Sequence, residues 1–110
     1  MQTFGELIHS LRKGNKLTLT QLAAKLEMDS ANLSRIENGK RDLDERKLQL
    51  LSELFHLNLD EIKTEYYSEK FAKKIYEVDC SESTLMVAEQ KVKYFKQKNT
   101  RQGKLSLWTL

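Results

Sequence analysis

Residues 17–41 decide the fold of this 110-residue chain, and they read LTLTQLAAKLEMDSANLSRIENGKR. The segment predicts two short helices separated by a tight break at residues 27–29. Thr18 and Gln21 have the spacing of a capping box, which satisfies free N–H groups where the first helix begins. Asp29 is placed to cap the second helix, predicted over 30–38, and Gly39 is a residue type that ends helices.

The apolar residues of this segment fall on one inward face of each predicted helix. Ala23 is small, which lets two steeply crossing helices approach each other closely. This spacing is typical of a helix-turn-helix. The inward positions are Leu22, Ala23, Leu26, Met28, Leu33 and Ile36.

Further helices are predicted on both sides of the segment. A helix over 4–13 has a capping box at Thr3 and Glu6, and Gly14 with Asn15 is expected to end it in left-handed backbone. Asp42 is expected to cap a fourth helix. The predicted later helices are 43–55, then 59–78 as one helix or two joined by a kink near residue 68, and finally 84–98.

The last helix carries a separate apolar stripe. Leu85, Ala88, Val92 and Phe95 are spaced three, four and three residues apart, which is the spacing of a coiled-coil seam. Residues 99–104 are predicted to be loose. An apolar end follows, a short strand or a sticky tail, made of Leu105, Leu107 and Trp108.

The amino-acid composition favours helices and excludes some kinds of site, such as disulfides. The chain has 39% hydrophobic and 32% charged residues, four glycines, no proline and a net charge of +3. Cys80 is the single cysteine, so no internal disulfide and no cysteine-based zinc cluster is possible; a reducing, cytoplasmic setting is the simplest interpretation. No apolar run has membrane-spanning length.

No catalytic or metal-binding constellation stands out in the sequence. We therefore expect no enzymatic activity, no metal and no cofactor. Six basic residues and no acidic residue lie within 91–104, which predicts a solvated face, with an arm on nucleic acid as the alternative. The aromatic residues are expected to be core or interface residues rather than a base-stacking platform.

Residues 17–62, LTLTQLAAKLEMDSANLSRIENGKRDLDERKLQLLSELFHLNLDEI, resemble the helix-turn-helix of the Cro/CI-like (XRE-type) regulators. The most specific piece is LSRIENGKR after the capped turn, and with the first helix the resemblance covers about residues 3–65. It implies an all-α fold, namely a five-helix repressor-like DNA-binding bundle with a C-terminal helical extension. The expected domains are 1–65 for DNA binding and 66–110 for dimerisation, the latter ending in the loose basic and apolar tail.

The resemblance also assigns roles to individual residues. The second helix of the motif enters the major groove with its N-terminal residues first. Its base-reading positions fall on Ser30, Ala31, Asn32, Ser34 and Arg35. Arg35 is expected to bind guanine through O6 and N7, and Asn32 to bind adenine. The positions that contact phosphate fall on Thr18, Thr20, Asn38, Lys40 and Arg41.

Three further positions bear on the resemblance. Family members pair an arginine near the end of the first helix with a glutamate of the reading helix, which here predicts a structural ion pair of Arg12 and Glu37. Leu19 stands where the family often has a glutamine that braces a reader, so that brace is expected to be missing. Glu27 stands where the turn often has glycine, and left-handed backbone there costs roughly 1 kcal/mol.

The resemblance implies a transcriptional regulator that binds double-stranded DNA. One reading helix covers only a few base pairs, so we expect a homodimer on a near-palindromic operator, with residues 66–110 supplying most of the interface. The compact size and helical annex resemble small regulators that control restriction-modification operons. The alternative is a helix-turn-helix protein-interaction module, such as an antitoxin-like partner.

Overall fold

The computed structural model describes residues 1–102, and side chains for residues 1–99. Within this part the chain is all-helical and contains no strand, which confirms the predicted all-α class and the C-terminal helix after a five-helix bundle. The helices are α1 Phe4–Gly14, α2 Leu19–Lys25, α3 Ser30–Glu37, α4 Leu48–Leu54, α5 Leu59–Glu77 and α6 Ser83–Gln102, with a short 3₁₀ turn at Glu45–Lys47. Of the described helices, none combines the length and the apolar content needed to cross a bilayer.

The chain divides into two compact units, Met1–Lys74 and Ile75–Leu110. The functional boundary predicted after residue 65 stays a prediction. Structurally the first unit continues beyond it, because Tyr66 packs in the core of that unit and is 4% exposed. Its hydroxyl donates a hydrogen bond to the carbonyl of Leu43, which ties α5 to the segment that precedes α4.

One apolar core holds the first unit together. Burial of these side chains removes apolar surface from water, and this is the main force that fixes the arrangement of the helices. Ala23 is 2% exposed, as expected for a small residue at a close helix crossing. The core residues are Phe4, Ile8, Leu22, Ala23, Leu26, Leu33, Ile36, Leu43, Leu48, Leu51, Ile62 and Tyr66.

Gly5 allows the backbone of α1 to pack closely against the end of α3. A Cβ atom at this position would collide with the backbone carbonyl oxygen of Ile36 and lie 2.8 Å from that of Glu37. Because both obstacles are backbone atoms, a rotamer change cannot relieve the overlap. A side chain at position 5 would therefore push α1 away from α3.

The predicted caps of the first three helices are present. Thr3 with Glu6 forms a capping box on α1, and Thr18 with Gln21 forms one on α2. Asp29 accepts a hydrogen bond from the backbone N–H of Asn32 at 2.7 Å and caps α3. These contacts satisfy N–H groups that have no partner within the helix.

Five helix ends share one geometry, in which a residue with positive φ is followed by a backbone hydrogen bond that reaches back five residues. After α2, for example, Glu27 has φ 57° and Met28 N–H donates to the carbonyl of Ala23 at 3.0 Å. After α3 the position is Gly39, as predicted, with φ 74°. Within residues 1–102, the residues with positive φ are Lys16, Glu27, Gly39, His56 and Asp79.

The end of α1 differs from the prediction. Gly14 is the last residue of α1 and Asn15 follows with φ −99°, so neither takes the left-handed conformation. Lys16 adopts the left-handed conformation instead, because this brings the N–H of Leu17 to the carbonyl of Arg12, to which it donates at 3.0 Å.

The predicted start of the fourth helix is also wrong. Leu43 does not begin a helix, because its buried side chain is needed in the core and its carbonyl accepts the hydrogen bond from Tyr66. Asp44, not Asp42, caps the 3₁₀ turn by accepting from the N–H of Arg46 at 2.9 Å, and α4 begins at Leu48.

Two expectations for the later helices are settled by the described residues. Helix α5 is a single helix over Leu59–Glu77, so the alternative with two helices does not hold. Residues 99–102 are helical rather than loose, since no helix breaker precedes Gly103 and α6 continues to Gln102. The predicted apolar end at 105–108 lies outside the described residues.

The second unit presents an exposed apolar stripe on α6. Leu85, Val92 and Phe95 belong to the predicted stripe, and they are 56%, 49% and 40% exposed. Tyr94 contacts Phe95 at a ring-centroid distance of 6.1 Å. The helix begins after a turn in which Thr84 N–H donates to the carbonyl of Ser81 at 3.0 Å.

Candidate nucleic-acid interface

Helix α3 is anchored by one face and accessible on the other. Leu33 and Ile36 are 0% and 3% exposed and hold the helix in the core of the first unit. The opposite face carries side chains that are exposed or half-buried, so they are available to a ligand. These are the five predicted base-reading residues, Ser30, Ala31, Asn32, Ser34 and Arg35.

Asn32 is the centre of a polar network on this face. Its Nδ2 donates to Asp29 Oδ2 at 3.0 Å. Its Oδ1 accepts from the terminal nitrogen Nη1 of Arg35 at 2.9 Å and from Nη1 of Arg41 at 3.1 Å. The amide oxygen is therefore already occupied twice, and the guanidinium groups of Arg35 and Arg41, one on α3 and one after it, lie side by side.

Arg12 and Glu37 form the predicted ion pair, and it fixes the end of α3. Arg12 Nε donates to Glu37 Oε2 at 2.7 Å and Arg12 Nη2 donates to Oε1 at 3.0 Å. Arg12 Nη1 also donates to the carbonyl of Leu17 at 3.1 Å, so the same side chain holds the loop before α2. His9 Nδ1 lies 2.8 Å from Glu37 Oε1.

The charge states of this pair follow from its surroundings. Burial by itself would raise the pKa of the Glu37 carboxyl, but the hydrogen bonds from Arg12 and His9 outweigh it and leave that pKa below its usual value of 4.5. The hydrogen bond to Glu37 raises the pKa of the Arg12 guanidinium. Both groups are therefore charged at neutral pH, and the pair is locked in its ionised form.

The predicted phosphate-contacting residues lie at the start of α2 and in the segment that follows α3. All five, namely Thr18, Thr20, Asn38, Lys40 and Arg41, are exposed. Two of them make local contacts: Thr18 Oγ1 accepts from the N–H of Gln21 at 3.1 Å, and Asn38 Nδ2 donates to the carbonyl of Ser34 at 2.8 Å. Arg41 extends to Asn32 and so lies beside the base-reading residues instead of pointing away from them.

The two departures from the family pattern have visible structural consequences. Leu19 is half-buried and packs against the apolar core, so this position holds α2 in place and supplies no polar brace to a reader. Glu27 takes the positive φ expected of the turn. Its carbonyl accepts a hydrogen bond from Lys47 Nζ at 3.3 Å, which links the turn to the start of α4.

Sequence reasoning missed Asp29 as part of the site, beyond its role as a cap. The signal was present in the spacing, because residues three apart on a helix face each other, as Asp29, Asn32 and Arg35 are. The contribution of Arg41 had no such signal, since it follows the turn at Gly39. Sequence reasoning also missed His9, which joins the Arg12–Glu37 pair.

Comparisons with known proteins agree with this geometry. The helix-turn-helix family model matches residues 8–62, which is half of the chain. The chain is 51% identical over 41 residues to the HTH-type transcriptional repressor RghR of Bacillus subtilis (strain 168), and 49% identical over 41 residues to the uncharacterized HTH-type transcriptional regulator RghRB of the same organism. Each match covers 37% of this chain and 30% of the relative. No solved structure matches the chain.

Proposed function

The chain belongs to the helix-turn-helix family, of the XRE type, and from this premise we propose that it is a DNA-binding transcriptional regulator that reads the major groove with α3. The single observation that carries the proposal is the presentation of α3, which is anchored by Leu33 and Ile36 while its N-terminal half is accessible. Two relatives named as transcriptional regulators support it, and the name of one supports repression as the sign of regulation.

We propose roles for the residues of the accessible face in keeping with their positions. Arg35 reads a base, and Ser30, Ala31 and Ser34 contact base edges or the adjacent backbone. Lys40, with Thr18, Thr20 and Asn38, contacts phosphate and fixes the register of the protein on the duplex. We propose residues 1–65 as the DNA-binding domain.

We propose further that the protein acts as a homodimer on a near-palindromic operator. The stripe of Leu85, Val92 and Phe95 on α6 supports this, because these side chains are 40–56% exposed in the single chain. Helices in proteins gain most of their stability from packing of an apolar face, so a second helix against the stripe would stabilise α6. Residues 66–110 would then supply most of the interface, in a cytoplasmic protein without membrane contact.

Selection from a pool of random duplexes tests the DNA-binding proposal. Purified protein should enrich one motif, and a dimer should enrich it as two inverted half-sites about one helical turn apart, roughly 10 base pairs from centre to centre. Enrichment of no duplex at low salt would contradict DNA binding. Sedimentation of the free protein tests the dimer separately, and a stable monomer at micromolar concentration would contradict it.

The exposed stripe on α6 also favours a second candidate, a module that binds a partner protein, as an antitoxin does. The two functions differ in their response to salt. Specific DNA binding releases counterions and its affinity falls steeply with salt, whereas packing on an apolar stripe depends on salt far less.

Control of a restriction-modification operon is our proposal for the biological setting. A selected motif upstream of such genes would support it.

A further inference from the structure

We propose that Arg35 and Arg41 act together as one reading fork for two neighbouring guanines, and that Asn32 positions this fork instead of reading adenine itself. The inference rests on the proposed DNA-binding function and specifies its target. It gives Asn32 a different role from the one predicted from the family, and it moves Arg41 from a phosphate contact to a base contact.

The first step is the shared acceptor. Asn32 Oδ1 lies 2.9 Å from Nη1 of Arg35 and 3.1 Å from Nη1 of Arg41. The two terminal nitrogens are therefore separated by no more than the sum of 2.9 and 3.1 Å. Stacked base pairs are about 3.4 Å apart and the upper bound is less than two such steps, so the two guanidinium groups are close enough to meet neighbouring bases.

The second step is the charge of the acceptor. Two guanidinium groups repel each other, and a neutral amide oxygen does not cancel their charge as a carboxylate in the same place would. The nearest carboxylate of the network, that of Asp29, binds the amide nitrogen of Asn32 instead. Each arginine has five N–H donors, so most remain available to a ligand rich in acceptors.

The third step is the chemistry of that ligand. Guanine presents two acceptors in the major groove, O6 and N7, and arginine binds both at once through its planar fork. Two adjacent guanines offer four acceptors to the pair of arginines. Adenine has one acceptor and one donor there, and it needs from asparagine an oxygen that is already occupied by two arginines.

The fourth step is the support that holds Asn32 and the backbone of the fork. Asp29 caps α3 through Oδ1 and holds the side chain of Asn32 through Oδ2. Asn32 is therefore tied to the start of the helix. Arg41 follows Gly39, and the backbone N–H of Lys40 is fixed to the carbonyl of Arg35 at 2.8 Å. These bonds fix Asn32 and the backbone beside Arg35, and the two guanidinium groups meet at the Asn32 amide oxygen.

The experiment measures the affinity of the full chain for the selected duplex and for every single base-pair substitution of one half-site. We expect the wild-type protein to require two neighbouring guanines, each substitution weakening binding by about 5- to 150-fold. Arg35→Ala should abolish discrimination at one of the two positions and Arg41→Ala at the other. Asn32→Ala should reduce discrimination at both.

Two further variants separate positioning from reading. Asp29→Ser retains a capping side chain but loses the second oxygen that holds Asn32, so it should weaken discrimination at both guanines with an unchanged circular dichroism spectrum. Gln49→Ala removes an exposed amide on α4 whose hydrogen bond goes to Glu53 and not to the Asn32 network, and it should leave every value unchanged.

The result that overturns the inference is loss of preference at an adenine in Asn32→Ala while both guanine positions keep theirs. A selected half-site without neighbouring guanines would overturn it as well, and both results would leave the proposed DNA-binding function intact. Failure of the wild-type protein to bind any duplex would instead overturn both.

Discussion

At the residue scale, the site consists of side chains with separable tasks. Arg35 and Asn32 lie on the accessible face of α3, while Arg12 and Glu37 are buried at its other end. We propose that the first two face the DNA, whereas the last two hold the helix. Substitutions in the two groups should therefore alter different measurements.

Arg35→Ala and Lys40→Ala should have different effects on DNA binding. Loss of a base contact at Arg35 should cost about 1–3 kcal/mol and relax sequence preference. Loss of a phosphate contact at Lys40 should weaken all sequences alike and reduce the salt slope by about 1. Titration of a selected and a scrambled duplex at several salt concentrations measures both effects. Retention of full preference by Arg35→Ala would contradict its assignment as a reader.

The buried Glu37 carboxylate should make the stability of the fold depend on pH. Its folded pKa is lowered, so its contribution is complete above the unfolded value of about 4.5 and is lost as pH falls through the folded pKa. Glu37→Gln should cost about 3–5 kcal/mol at pH 7, because Arg12 then keeps a buried, unpaired charge.

Urea denaturation of both proteins between pH 7 and pH 3 measures this contribution. The difference in unfolding free energy between them should narrow below about pH 4.5. Glu53→Gln is the control, since that carboxylate is exposed on α4, and it should behave as the wild type does. A difference that stays constant down to pH 3 would refute the role given to Glu37.

At the element scale, local sequence signals predicted where helices begin better than where they end. The caps at Thr3, Thr18 and Asp29 depend on side chains within three residues, so the sequence contains the whole signal. Left-handed residues at helix ends carry a weaker signal. Lys16 and His56 adopt that conformation although neither is a glycine, because the packed chain determines where the turn must fall.

The start of α4 is an exception, because local signals predicted it wrongly. Asp42 and Asp44 both precede a helical pattern, and local spacing cannot choose between them. The choice is made by Leu43, whose backbone and side chain are both engaged with distant parts of the core. The pairing of Arg41 with Asn32 could not be predicted either, because Arg41 follows the turn at Gly39 and no helical spacing relates it to Asn32.

Gly5→Ala tests the close approach of α1 to α3. The added Cβ overlaps backbone carbonyls, and overpacking of this kind should destabilise the fold by about 1–3 kcal/mol. Gly14→Ala is the matched control, because nothing lies within 4 Å of a Cβ there and alanine favours helix by about 0.5–1 kcal/mol. Urea denaturation compares the two. Equal stabilities for both variants would show that Gly5 is not a close-packing position.

At the scale of the whole molecule, the two units support different conclusions. The first unit, Met1–Lys74, contains a packed core and the accessible face of α3, and the family match lies within it. The second unit contributes α6, whose apolar side chains are exposed. The dimerisation that we propose for this unit rests on that exposure and on the seam-like spacing, and only the spacing is visible in the sequence.

Site-directed cross-linking tests the central claim most directly, namely that the start of α3 meets base edges in the major groove. Exposed Cys80 is first replaced by serine, and Ala31→Cys then places a single thiol on the accessible face. We expect a disulfide with a duplex that carries a thiol tether on a base in the major groove of the selected half-site. Gln49→Cys on α4 should give none. Efficient cross-linking from position 49 and none from position 31 would contradict the account.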